Sequence, residues 1–589
     1  MNRTVVHSFI AFLACILLFS SCSSTPKPQS TSENLGKTET DNKGTVSPSS
    51  ISTGAGTPLS IPERAQLKKN DLDSTVLSFI EKGSPESLRK AVSLVNTDPR
   101  GMTDQNRVAL AVSGEIMRIL YPLEEVNWSL PSVPESDRYI GALRASRQGI
   151  YDYSAGSADF LSLVLPSAVL VVSDIQGNYY ADAQIALSKA RRMNDESVLP
   201  LYFLALISER QGRFNESLNL FQAAWKADSS CYPAGIGLTR ALLSKGDGAE
   251  AFVVAKQLLS RYPNNSSMVR LCAQSAYIAK DWNTADPYIL TILKAEPDNT
   301  DFLLMRAHIL IERKEYLKAN SLLDAFGTTN KTNKSYLLLK ARVIREWNKN
   351  PTAAAAVLQD ARRLYPTDSE VLLASAEISY QSGQAIQGSD GRDLVFNVLE
   401  IEPTNTVALS LLVQDYIVSS DWSQALSRAE QLVSLDSRDD SRVLLLKATL
   451  GSRQYSRAVE LSRSLYTAHP SSVEITSLHL QALISSGDTN QALAIINSRL
   501  IDASPSLKSI LYYHESKLKI DSDLRLASLR SSLLSDPRNL EALFSMYEWY
   551  MEKKDYRKAQ YYLKQVVSLD PGNRRYGNLL SNLDDLLAR

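Results

Sequence analysis

The sequence predicts an all-α fold, an α-solenoid in which antiparallel helix pairs stack into a right-handed superhelix behind a disordered tether. The chain has 589 residues, 44% of them hydrophobic, which is enough for a large core. From about residue 198 onward the sequence repeats about every 34 residues, with apolar residues at helical spacing inside each period. Residues 23–62 contain no aromatic residue and are rich in Ser, Thr and Pro, a composition that cannot bury enough apolar surface to fold.

The N-terminal segment has the build of a secretory signal peptide. Arg3 precedes an apolar run from Phe9 to Phe19, and small residues follow before Cys22. The run has about eleven residues, fewer than the roughly twenty that a membrane span needs, which favours cleavage. We therefore predict a signal peptide over residues 1–21 and a flexible tether over residues 22–62.

Residues 19–22 resemble a bacterial lipobox, although Phe19 replaces the usual Leu. The resemblance implies that the Cys22 thiol is acylated and that Cys22 becomes the new N-terminus. Acyl chains on one Cys would hold the protein on a membrane, and Ser23, where an Asp would favour inner-membrane retention, favours the outer membrane. The alternative is an ordinary signal peptide with an incidental Cys22.

Two markers define the repeat. Pro263 and Pro571 lie 308 residues apart, nine periods of about 34, and prolines recur between them because proline stops a helix. The prolines are Pro263, Pro297, Pro366, Pro403, Pro470, Pro537 and Pro571. A small residue stands about twelve residues before the ends of these periods. It lets the two helices of a pair cross closely. These residues are Ala251, Ala285, Ala319, Ala354, Ala425, Ala458, Ala492 and Ala559.

A helix pair of 34 residues with these markers resembles the tetratricopeptide repeat family. The resemblance is clearest in 232–265, 266–299, 300–333 and 540–573, and about eleven repeats fit between 198 and 573. Residues 574–589 are expected to form a helix that caps the last repeat. Residues 384–403, with extra Gly and Ser, and 506–537, without the small Ala, depart from the pattern; they are either kinks or degenerate repeats.

Residues 63–197 are predicted to be helical and to consist of degenerate repeats. Residues 159–172 are mostly apolar but contain Pro166. This stretch is too short for a membrane span and favours a buried helix pair.

No catalytic or metal-binding pattern stands out. Lys+Arg and Asp+Glu are 64 each, so no net positive charge attracts nucleic acid. The five His are scattered, and the chain has no P-loop, dinucleotide-binding fingerprint or nucleophile elbow. We predict a protein that is not an enzyme and needs no cofactor or metal. Cys231 and Cys272 are expected to be separate thiols, with a disulfide as the alternative.

The family resemblance implies a concave groove, lined by the first helix of each repeat, that binds a peptide or a helix of a partner protein. Tyr and Arg dominate interface energetics, so Tyr202, Arg270 and Tyr277 are the strongest candidates. For any single residue, the alternative is that it only covers neighbouring helices. The full predicted set is Tyr202, Arg240, Arg270, Gln274, Tyr277, His308 and Gln414.

Two functions of different classes follow. The first is a membrane-anchored scaffold of the bacterial envelope, facing the periplasm and binding partner proteins during the assembly of envelope complexes. The second is a surface-exposed lipoprotein adhesin that binds an extracellular or host ligand. An enzyme acting on cell-wall polymers is a distant third, because it would need paired acids or a nucleophile with its base.

Overall fold

In a computed structural model, the structure describes residues 73–129, 131–132, 139, 159–172, 179–327, 330–570 and 574–588. The predicted signal peptide, Cys22 and the predicted tether lie outside the described residues. Within them, helices are the regular elements, apart from an isolated β-bridge between Ile386 and Ser389. The predicted all-α class of packed antiparallel helix pairs is therefore confirmed.

The chain divides into an N-terminal unit, residues 73–309, and a C-terminal unit, residues 310–588. The helices that begin in the N-terminal unit are α1 Ser74–Lys82, α2 Pro85–Asn96, α3 Asp104–Leu120, α4 Phe160–Val172, α5 Tyr179–Met193, α6 Val198–Arg210, α7 Phe214–Ala227, α8 Tyr232–Lys245, α9 Gly248–Arg261, α10 Ser266–Ile278, α11 Trp282–Ala295 and α12 Thr300–Glu312.

The helices that follow are α13 Tyr316–Gly327, α14 Lys334–Glu346, α15 Pro351–Leu364, α16 Ser369–Ser382, α17 Gly391–Ile401, α18 Thr406–Val418, α19 Trp422–Leu435, α20 Asp439–Gly451, α21 Tyr455–Ala468, α22 Val473–Ser486, α23 Thr489–Arg499, α24 Pro505–Leu518, α25 Ser522–Ser535, α26 Leu540–Glu552, α27 Tyr556–Leu569 and α28 Arg574–Ala588. From α6 to α27 they alternate as first and second helices of successive pairs.

Local sequence explains where the helices begin and end. Each described marker proline lies two residues beyond the end of a second helix, as Pro263 does after α9, because proline cannot continue a helix. The next first helix then begins at a side-chain cap. The Asn265 side chain accepts hydrogen bonds from the backbone N–H groups of Ser267 and Met268, which satisfies donors that a helix start leaves free.

The small residues lie where the helices cross. All eight of the predicted alanines are completely buried, among them Ala285 in α11 and Ala559 in α27. A larger side chain there would push the helices apart. The repeat period thus specifies the packing as well as the helices.

The two departing segments also form helix pairs. In the first, an eight-residue connection joins α16 to α17, and Gly391 packs where an added Cβ would come within 2.9 Å of the Tyr380 ring. In the second, Ser509 of α24 and Ser532 of α25 share a hydrogen bond of 3.0 Å. Gly391 therefore takes the place of the alanine in the first segment, twelve residues before Pro403, whereas Arg525 stands at the corresponding position before Pro537 in the second.

Residues 160–172 form the single helix α4, whereas the sequence predicted a helix pair in this segment. Pro166 lies inside α4 and cannot donate to the carbonyl of Ser162, a loss of about 3 kcal/mol. Most side chains of α4 are buried, and each large aliphatic one contributes about 1.5–3 kcal/mol. The free energy gained by burying these side chains therefore exceeds the free energy lost at Pro166. No helix in the described ranges is both long and apolar enough to cross a membrane.

The start of the N-terminal unit packs against the pairs that follow α5. The Tyr121 hydroxyl, at the end of α3, donates to the carbonyl of Gly83 at 2.8 Å, and the backbone N–H of Leu123 donates to the Tyr232 hydroxyl at 2.8 Å. The Glu124 carboxylate pairs with Arg89 and accepts from the Tyr262 hydroxyl. Helices α1–α3 are thereby joined to α8 and α9.

Candidate functional site

Six of the seven predicted partner-binding residues lie in the N-terminal unit, on the first helices α6, α8, α10 and α12. The seventh, Gln414, lies on α18 of the C-terminal unit. We define the first-helix surface of each unit as the side chains that its first helices leave exposed or half-buried.

Tyr202 and Arg240 begin the first-helix surface of the N-terminal unit. Tyr202 is half-buried, with its ring centroid 6.1 Å from that of Phe221, and burial raises its pKa. The Arg240 side chain is exposed. Burial raises the pKa of Glu209 on α6, and the charge of Arg240 opposes that shift, so these two groups face each other between adjacent first helices.

Arg270 and Gln274 follow on α10, both half-buried. The Arg270 guanidinium pairs with Glu296 and lies 5.4 Å from the centre of the Phe302 ring. Burial raises the pKa of Asp301, against the charge of Arg270. Arg270 is therefore held in place by its own chain, whereas Gln274 lies one turn further along the same face.

Tyr277 and His308 are buried, each only 1% exposed. The Tyr277 hydroxyl and His308 Nδ1 are 2.7 Å apart, and both rings meet Trp282 edge-on with centroids 5.6 Å away. This aromatic cluster joins α10, α11 and α12. Tyr277, predicted as one of the strongest contact residues, and His308 therefore present almost no side-chain surface and belong to the core between these helices.

Gln414 is half-buried on α18, where its side-chain amide donates to the Ser410 hydroxyl at 3.2 Å. Val418, one turn further along α18, is 85% exposed. An amide and an exposed aliphatic side chain thus lie next to each other on the first-helix surface of the C-terminal unit.

The first helices of the C-terminal unit carry an ion-pair network that was not predicted from the sequence. Arg342 of α14 pairs with Glu312 at 2.7 Å and with Glu346 at 2.8 Å. Arg345 pairs with Glu346 at 3.0 Å and with Glu377 of α16 at 2.7 Å. Burial alone would raise the pKa of Glu346, but the two guanidinium groups lower it below its usual value.

A second missed cluster surrounds Lys334 at the start of α14. Its ammonium lies 2.9 Å from a carboxylate oxygen of Asp368 and 2.9 Å from one of Glu370. Burial raises the pKa of Glu370 to about 7, against the effect of Lys334. Spacings of 34 and 36 residues separate Lys334 from these carboxylates, so comparing equivalent positions of successive repeats was the signal that could have found them.

The described residues show neither a metal-binding cluster nor a reactive thiol. Within them, no group of three or more His, Cys, Asp and Glu could hold a metal ion. Cys231 and Cys272 are separate buried thiols, and burial raises the pKa of each to about 11, so both are protonated and unreactive near neutral pH.

Comparison with known families identifies the repeat. The family model of the tetratricopeptide repeat matches residues 209–275, from the end of α6 into α10. The predicted tetratricopeptide repeat is therefore confirmed for residues 209–275. Repeats of this family serve as scaffolds that bind peptides or proteins. No curated protein matches the sequence.

Several solved structures share the helical-repeat architecture at low identity. The APC/C hetero-tetramer Cut9–Hcn1 is 14% identical, with a TM-score of 0.40, over 87% of this chain and 99% of that one. Yeast Tom70 is 12% identical, with a TM-score of 0.33, over 73% and 96%. A tetratricopeptide repeat protein from Parabacteroides merdae is 13% identical, with a TM-score of 0.34, over 48% and 97%. At these TM-scores the similarities carry no argument about function.

Proposed function

We propose that this protein is a membrane-anchored scaffold of the bacterial cell envelope that binds partner proteins through the concave groove of its tetratricopeptide repeats. The observation that carries the proposal is the first-helix surface. Successive first helices of the N-terminal unit bring Tyr202, Arg240, Arg270 and Gln274 to one face in exposed or half-buried positions. Mixed aromatic, charged and amide side chains are typical of protein interfaces.

A charge reversal on that face tests the binding role. Arg240→Glu should lower the yield of partner proteins that copurify with the tagged chain, because Arg240 is exposed on α8. Lys256→Glu is the matched control, since Lys256 is exposed on the second helix α9. Equal recovery with both variants would place the contacts elsewhere.

The membrane anchor rests on Cys22 and the signal sequence before it. Acyl chains on Cys22 would hold the mature protein at the outer membrane, facing the periplasm, where it would assemble envelope complexes. Cys22→Ala should move the protein from the membrane fraction to a soluble fraction after cell lysis. A membrane fraction unchanged by Cys22→Ala would remove the lipoprotein proposal and leave the binding role standing.

A surface-exposed adhesin is the alternative, because the same anchor and surface would also serve to bind a host ligand. Protease added to intact cells separates the two. A periplasm-facing scaffold should be degraded only after the outer membrane is permeabilised, whereas an adhesin would be degraded on intact cells.

A further inference from the structure

The final first helix of the C-terminal unit, α26, carries two exposed acidic side chains beside aromatic rings. We call this the acidic–aromatic surface: Tyr513 of α24, Glu541, Phe544 and Glu548 of α26, and Tyr576 of α28. Glu541, Phe544 and Glu548 share one face of α26, because residues three, four and seven apart align along a helix.

The rings of Tyr513, Phe544 and Tyr576 pack against the hydrophobic core of the last helix pairs, and each is half-buried. The Phe544 and Tyr576 centroids are 5.2 Å apart. Burial raises the pKa of Tyr513 to about 12, and the Glu541 and Glu548 carboxylates add to that shift. The same two carboxylates contribute to the raised pKa of Tyr576, after burial and Asp570. Both carboxylates therefore lie close to the tyrosines.

The two carboxylates face solvent. Glu541 and Glu548 are exposed and form no hydrogen bond or ion pair with any residue that the structure describes. One turn beyond Glu548 lies another acidic residue, Glu552, which is itself paired with Arg525. Like charges one turn apart repel, so a positive charge brought to α26 would be attracted.

The rings already accept cations from the chain itself. The Lys517 ammonium lies 5.3 Å from the centre of the Tyr513 ring, and the Arg575 guanidinium lies 5.7 Å from that of Phe544. Such cation–π contacts are favourable because the face of an aromatic ring carries partial negative charge. The surface thus combines the two features that recognise basic side chains, namely free carboxylates and aromatic faces.

We propose that the acidic–aromatic surface binds an extended, basic segment of a partner protein, with one Lys or Arg paired to Glu541 and a second paired to Glu548. This inference rests on the proposed binding function and names the chemistry of its partner. Seven residues of α26 separate the carboxylates, a rise of about 10.5 Å. A segment in the extended polyproline II conformation has three residues per turn and rises about 3.1 Å per residue, so its side chains at i and i+3 lie on the same side, about 9.3 Å apart. The recognised segment therefore carries basic residues at positions i and i+3.

Peptide binding to the purified full chain tests this spacing. The probes are fluorescein-labelled twelve-residue peptides of otherwise identical composition, with two lysines three residues apart, two adjacent lysines, or two glutamines three residues apart. By fluorescence anisotropy, the first should bind at least ten times more tightly than the glutamine peptide and several times more tightly than the peptide with adjacent lysines. Equal affinity for the spaced-lysine and glutamine peptides would overturn the proposal.

Charge-removing variants locate the binding site. Glu541→Gln with Glu548→Gln should abolish the preference for spaced lysines while leaving the circular dichroism spectrum unchanged, because both side chains are exposed. Glu400→Gln with Glu460→Gln is the matched control, since both residues are exposed on the second helices α17 and α21. Loss of the preference in both double variants, or in neither, would contradict the assignment.

The same variants separate this inference from the proposed function. If partner proteins copurify equally with the wild type and with the Glu541/Glu548 variant, the scaffold role stands and the acidic–aromatic surface is not its contact. If recovery of partner proteins falls with the Glu541/Glu548 variant but not with the Glu400/Glu460 variant, both the scaffold role and the acidic–aromatic surface as its contact are supported.

Discussion

Two buried histidines make the C-terminal unit sensitive to acid. His479 and His514 are each 4% exposed, and each lies 2.8 Å from a serine hydroxyl, Ser462 and Ser477 respectively. Burial lowers the pKa of His479 to about 4 and that of His514 to about 3. In the unfolded chain both groups titrate near 6.5. Below that pH the unfolded state takes up protons that the folded state does not, so stability is full above pH 6.5 and falls as the pH drops.

We therefore expect the urea midpoint of the C-terminal unit to fall between pH 7 and pH 5. Each histidine accounts for roughly 2 kcal/mol of the loss at pH 5. His514→Gln should remove its share of this pH dependence even if it lowers stability at pH 7. His469→Gln is the control, because the His469 side chain is 47% exposed. An identical pH dependence in wild type and His514→Gln would contradict this account.

The burial of individual side chains was the feature that the sequence predicted least well. The positions of Tyr202, Arg240, Arg270 and Gln274 on first helices followed from helical spacing. The burial of Tyr277 did not, because it depends on Trp282 packing over it from the next helix. A repeat pattern specifies which face a residue occupies but not what the neighbouring repeat places on top of it.

At the scale of helices, the crossing alanines are the most specific feature of the repeat. Ala285→Leu in α11 should destabilise the N-terminal unit by about 1–3 kcal/mol, because the added atoms must displace packed helices. Ala295→Leu is a control in the same helix, where Ala295 is exposed. Thermal unfolding followed by circular dichroism at 222 nm would measure the difference. Equal midpoints for the two variants would show that the crossing at Ala285 is not tightly packed.

Helix boundaries were the most predictable part of the fold. The proline markers and the caps such as Asn265 are local, so the sequence alone indicates where α9 ends and α10 begins. The pair α24 and α25 was not recognised by its small residue, because Arg525 stands where other pairs have an alanine. A hydrogen bond between Ser509 and Ser532 joins these two helices instead. The single helix α4 was missed because proline normally breaks a helix, and only tertiary burial retains it.

At the scale of the whole molecule, the repeat and the all-α class could be predicted because they follow from periodicity. The acidic–aromatic surface could not, since it joins α24, α26 and α28 through contacts that no single period contains. The division of the chain into two units was also missed, because it falls within α12, where the repeat pattern continues without interruption.

In the proposed function, partner proteins bind the first-helix surface. The most direct test places a photoreactive phenylalanine analogue at single sites of the full-length protein in living cells. Gln274 and Gln414 are the test sites on first helices, and the controls on second helices are Val253, 58% exposed, and Leu534, 88% exposed. Ultraviolet light should yield crosslinked protein adducts from one or both test sites and from neither control. Adducts from the controls alone would contradict the claim.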